Sequence, residues 1–98
     1  MGAEVEVYRT GLPREATDDQ LKDEFRRAQE AARHERGHGG YSGTIAEAQG
    51  LAIRRELTFA KETEVYKNIF EFAAKWGPAV AVICDEAEGF VFAGVYSS

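Results

Sequence analysis

The chain is expected to fold as one α+β domain, and three features of its sequence predict this. Two segments carry apolar residues at helical spacing, several short runs carry the pattern of strands, and two of those runs close the chain as an adjacent pair. The expected order is β-α-β-β-α-β-β, with two helices on one face of a largely antiparallel sheet and residues 1–98 forming a single domain.

The first strand rests on alternation: Val5, Val7 and Arg9 interleave with Glu4, Glu6 and Tyr8, and Gly11-Leu12-Pro13 ends the run. Thr17-Asp18-Asp19-Gln20 then reads as a capping box, because a threonine hydroxyl and a glutamine amide three residues later can satisfy each other's backbone amides. Leu21, Phe25, Ala28 and Ala32 follow at spacings of four, three and four, which places them on one side of an amphipathic helix. That helix should stop near Gly37, where Gly37-His38-Gly39-Gly40 makes helical backbone costly.

Gly43 to Glu47 and Leu51 to Leu57 are expected to be two short strands joined by a tight turn at Gln49-Gly50. Val65, Ile69, Phe72 and Trp76 mark a second helix, with Gly77 and Pro78 at its stop and Trp76 as a core anchor. Ala79 to Cys84 and Phe90 to Tyr96 then form a hairpin across Asp85-Glu86-Ala87-Glu88-Gly89, whose glycine suits a longer loop. With both helices on one side, the other sheet face would leave Tyr96 or Phe92 exposed, and a homo-oligomer would cover them.

Ninety-eight residues, 44% apolar and 30% charged, suit one ordinary hydrophobic core. Seventeen acidic against twelve basic side chains leave a net charge of −5, so nucleic acid is not an expected partner. The single cysteine, Cys84, excludes an intramolecular disulfide and sits in an apolar run as a core residue. No signal sequence and no membrane-length apolar stretch is present, so the expected location is the cytoplasm, or the host cytoplasm if the protein is viral.

Chemistry concentrates between the first helix and the next strand. Arg33 and Arg36 offer charge, Gly39 and Gly40 let backbone amides approach a phosphate, Ser42 and Thr44 offer hydroxyls, and His38 and Tyr41 can stack on a base. These eight residues are the expected ligand-binding set. The loop follows a helix C-terminus, whose dipole repels anions, so binding there must rely on side chains and a turn nest; helix capping and chain reversal are the other use of these glycines.

His34-Glu35-Arg36-Gly37-His38 matches the H-E-x-x-H pattern of zinc peptidases, in which two histidines one turn apart hold the metal and the glutamate activates water. The context is wrong for it: Gly37 interrupts the helix, and no third histidine follows, leaving only Glu47 or another carboxylate as a further ligand. No metal and no cofactor is therefore expected. Ser42, His38 and Glu35 lie too close in sequence for a catalytic relay, so no catalytic residue is expected either. Arg54 and Arg55 point to opposite faces, so at most one joins such a pocket, and Asp85, Glu86 and Glu88 are expected to form a solvated turn without calcium-loop spacing.

The run Arg33-His34-Glu35-Arg36-Gly37-His38-Gly39-Gly40-Tyr41-Ser42-Gly43-Thr44-Ile45 resembles a helix, Gly-rich, Tyr-x-Gly-Thr-Ile segment found in small uncharacterised bacteriophage and prokaryotic accessory proteins. The resemblance implies a short phage accessory protein, a group that includes anti-defence binders which sequester nucleotide signals or block a defence enzyme.

The resulting expectation is a non-enzymatic protein that binds a nucleotide or other phosphate-bearing small molecule, is homo-oligomeric, and does not engage a membrane. The alternative is an acidic protein-binding inhibitor or scaffold that meets a host protein. Zinc-dependent hydrolysis through His34 and His38 is the remotest of the three.

Overall fold

Where the capping box was expected, both of its bonds form: Gln20 N–H donates to Thr17 Oγ1 at 3.2 Å, and Thr17 N–H donates to Gln20 Oε1 at 2.9 Å. In the computed structural model, which describes residues 3–36, 45, 48–74 and 77–97, this cap opens a helix α1, Asp18–Arg36, that ends one residue before Gly37. The preceding strand β1 is Ala3–Arg9. After α1 come β2 (Leu51–Phe59), the helix α2 (Glu62–Phe72), β3 (Ala79–Cys84), a single 3-10 turn (Asp85–Ala87) and β4 (Gly89–Ser97).

The class is α+β: two helices and a four-stranded, mostly antiparallel sheet in the order β1-β4-β3-β2. Strands β1 and β3 both run antiparallel to β4, while β2 runs parallel to β3. The strand expected over Gly43 to Glu47 lies outside the described residues except for Ile45, which sits in a tight turn whose carbonyl accepts from Ala48 N–H at 3.0 Å.

The expectation of both helices on one face is corrected. Leu21, Phe25 and Ala28 of α1 pack with Ala79, Ala81 and Ile83 of β3 and with Phe90, Phe92 and Tyr96 of β4. Val65 and Ile69 of α2 pack with the alternate set, Val80, Val82, Cys84, Val91, Ala93 and Val95. Successive strand residues point to opposite faces, so the helices cover opposite sides. The reason lies in the crossovers: β1-α1-β2 and β2-α2-β3 both join parallel strands, but they travel in opposite directions across the sheet. Two crossovers of the same right hand travelling in opposite directions must leave their helices on opposite faces.

Sandwiched in this way, all six residues of β3 are buried. Phe92 and Tyr96, expected at an open face, are 0% and 1% exposed. Phe92 stacks on Tyr8 of β1, with centroids 6.0 Å apart, and meets Phe25 of α1 edge-on at 5.9 Å, so one ring joins the edge strand, the central strand and the helix.

Helix α2 ends at Phe72, short of the expected stop at Gly77; its last bond runs from Ala73 N–H to the Ile69 carbonyl, and Ala73 itself is extended. Eleven helical residues span about 16 Å, close to the roughly 20 Å of the six-residue strand β3 against which the crossover must return. Val65 and Ile69 are buried as expected; Trp76 lies outside the described residues. In the hairpin, Glu88 is left-handed (φ 57°) and Gly89 also has a positive φ, 159°. Gly89 is needed for a second reason: Phe90 N–H donates to the Leu12 carbonyl at 2.9 Å, and the chain after β1 presses directly on the glycine.

Candidate functional site

The two ends of the sheet differ in what they offer a ligand. At one end gather the N-termini of α1 and α2 and the carboxyl ends of β2 and β3, the usual place for an anion in a parallel crossover. Here the protein's own carboxylates already occupy it. Arg9 donates two hydrogen bonds to Glu62, at 2.8 and 2.9 Å, which hold that carboxyl below the usual glutamate range. Glu86 Oε1 accepts from Glu62 N–H at 3.1 Å, and Asp85 accepts from Arg14 at 2.7 Å. The acidic turn is thus engaged in capping and ion pairing. Arg55 pairs with Asp18 at 2.5 Å and lies 5.4 Å from the centre of the Phe90 ring, while Arg54 pairs with Glu56 at 2.6 Å. Arg55 is therefore at the first turn of α1, about 27 Å along that 19-residue helix from its last residue, Arg36.

At the other end of α1 lies that segment. Of the expected ligand-binding set, Arg33 is exposed on the last turns of α1, beside the exposed His34. Arg36 closes the helix, and its side chain lies outside what is described; His38, Gly39, Gly40, Tyr41, Ser42 and Thr44 lie outside the described residues. Among the described residues no three of His, Cys, Asp and Glu converge as a candidate metal site.

The chain after that segment is held in place at Ile45 and Ala48. Ile45, the first described residue after it, is 2% exposed and packs in the core under α1. Its N–H donates to Glu6 Oε1 at 2.9 Å. Gln29, on α1, donates through Nε2 to the carbonyls of Ile45 and Ala48 at 3.3 and 3.1 Å. Residues 37–44 therefore run between the end of a helix and a buried anchor clamped from a strand and from that same helix.

Beside the anchor lies a row of polar side chains on the α1 face. Glu6 is paired in register with Gly94 and Glu4 with Tyr96, and the Tyr96 ring lies against Gly94, where a β-carbon would stand 2.5 to 2.6 Å from three ring and hydroxyl atoms. Tyr8 donates to Glu24 Oε2 at 2.9 Å; burial, then that bond and the charges of Glu24 and Glu6, push its phenol up to about 12. Burial first, with Glu6 adding, pushes the Tyr96 phenol up as well. Both phenols stay protonated near neutral pH, and that of Tyr8 serves as a donor.

The Tyr96 hydroxyl is buried and has no acceptor among the described residues. A buried hydroxyl left unpaired costs about 1–3 kcal/mol. Tyr96→Phe is expected to keep the ring packing and raise stability by about 1 kcal/mol, a melting rise of about 4–8 °C for a domain of this size. A lower melting temperature, measured by circular dichroism, would mean that the hydroxyl is hydrogen-bonded in the folded protein.

Sequence reasoning missed Glu6, Gln29 and Tyr96. The first two look like solvated positions of an alternating strand and an amphipathic helix, and only the return of the chain at Ile45 gives them a partner. Comparison with protein-family models, with curated proteins and with solved structures finds no match to this chain.

Proposed function

We propose that this protein is a non-enzymatic binder of a nucleotide or other phosphate-bearing small molecule, held by the segment from Gly37 to Thr44 together with Arg33 and Arg36, and that it works as a phage anti-defence protein that sequesters a nucleotide signal. The observation that carries the reading is the clamped anchor at Ile45. A turn that only reverses the chain does not need a buried amide captured by a carboxylate and two carbonyls captured by a glutamine. Fixing the chain at the end of a binding segment lowers the entropy a ligand must offset. The segment's residue types suit the ligand: arginine for phosphate, glycine for close backbone approach, and Tyr41 or His38 for a base.

The test is a thermal-shift screen of cyclic dinucleotides, cyclic mononucleotides, ADP-ribose derivatives and zinc. A ligand at about 100 times its Kd stabilises the native state by about 2.7 kcal/mol, a melting rise of at least about 10 °C here. Arg36→Ala and Tyr41→Ala are expected to abolish that rise while leaving the ligand-free melting temperature within about 2 °C of the parent. A silent screen would count against the reading and favour the protein-binding inhibitor, to be pursued by pull-down from the host. A response to zinc alone, lost in both His34→Ala and His38→Ala, would favour the hydrolase.

A further inference from the structure

With a helix on each face, the sheet no longer asks for a partner, and the apolar surface that remains lies on α2. Among the described residues the exposed large hydrophobic side chains are Tyr66, 47% exposed, and Phe70, 69% exposed. They are four residues apart and so lie on one stripe of the helix, turned away from the buried Val65 and Ile69. Next to them run Lys67 and Glu71, also exposed and four apart; neither has an ion-pair partner among the described residues.

We propose that this stripe is a homodimer contact, in which α2 packs antiparallel against α2 of a second copy. The argument is self-complementarity. In an interface with two-fold symmetry, if one residue meets a second across the axis, the second meets the first. An antiparallel pair with its axis beside Ile69 sets Lys67 against Glu71 of the second copy, and Glu71 against Lys67 of that copy. The same axis sets Tyr66 two residues' rise, about 3 Å, from Phe70 across the contact, so the aromatic side chains form an apolar centre between two unlike charge pairs. A parallel arrangement would oppose Lys67 to Lys67 and Glu71 to Glu71. The charge order thus selects one geometry and one partner, even though the chain as a whole carries −5 and would repel its copy elsewhere.

An eleven-residue helix cannot bury the area of a stable interface, so the dimer is weak, with a Kd on the order of 100 μM. The surface lies on the opposite sheet face from the Ile45 anchor, and the inference does not depend on the ligand reading.

Sedimentation equilibrium of the full chain from about 10 μM to about 1 mM tests it. The expected result is a dimer fraction that grows with concentration and disappears in Phe70→Asp, whose melting temperature stays near that of the parent because the ring is exposed. Lys67→Glu alone and Glu71→Lys alone are each expected to weaken association at least about tenfold. Mixing these two variants is expected to restore it, since each supplies the charge the other lacks; a loss confined to the helix itself could not be repaired by mixing. A parent chain that stays monomeric at 1 mM, a dimer that survives Phe70→Asp, or a mixture that stays monomeric would each overturn the proposal.

Discussion

Gly89→Ala is expected to cost more than about 3 kcal/mol and to lower the melting temperature by more than about 12 °C, leaving little of a domain stability of about 5–15 kcal/mol. The methyl group would stand 2.9 Å from the carbonyl carbon of Leu12 and from Pro13 Cα, and closer still to the Leu12 oxygen. All three are backbone atoms, so no rotamer change relieves the contact. The chain after β1 would have to move, and the hydrogen bond from Phe90 N–H to Leu12 would go with it. The same movement would strain Thr10, whose buried hydroxyl donates to the Phe90 carbonyl at 2.8 Å and accepts from Leu12 N–H at 3.0 Å. Thermal or urea denaturation of the variant reads the loss. A drop below about 1 kcal/mol would mean that Leu12 and Pro13, after β1, do not approach Gly89 as closely as described.

Gly94→Ala is expected to have the second largest effect, about 2–3 kcal/mol, for a related reason with a different relief route. Here the obstacle is a side chain, the ring of Tyr96, which lies where the new methyl would go. A surface ring would swing aside, but Tyr96 is 1% exposed and fixed between β4 and α1. Because the obstacle is that ring, Gly94→Ala combined with Tyr96→Leu should lose clearly less than the sum of the two single changes. Additive losses in such a double-mutant cycle would show that the ring and the glycine do not touch. Since Glu6 lies opposite Gly94 and holds Ile45, the single variant should also weaken binding of any ligand found in the thermal-shift screen, beyond what its stability loss explains.

The amphipathic spacing of Leu21, Phe25 and Ala28, the Thr17 to Gln20 box, the hairpin and the α+β class were legible because each depends on residues within one or two turns of chain. The glycine-rich segment was legible as a concentration of residue types, though not as a geometry, and six of its eight candidate residues lie outside the described structure. Its anchor was not legible at all. Glu6 is 39 residues from Ile45 in sequence, and Gln29 is 16 and 19 residues from the carbonyls it caps.

The placement of the helices shows the same division. Ala79 to Cys84 and Phe90 to Tyr96 are apolar without alternation, which is how a strand covered on both faces reads; a sheet with one wet face would alternate. That signal was local and available. Which helix covers which face was not, because it follows from the order β1-β4-β3-β2 and the hand of two crossovers running in opposite directions. By itself, then, the sequence determined the two helices and the terminal hairpin, the cap that opens α1 and the apolar faces these elements present, since these are set by neighbours within a few residues, though not the point at which α2 stops. Only the tertiary structure decided that both sheet faces are closed, that the Glu86 carboxylate fills the N-terminus of α2, and that a strand glutamate and a helix glutamine meet at Ile45, because contacts between residues distant in sequence exist only once the sheet has assembled.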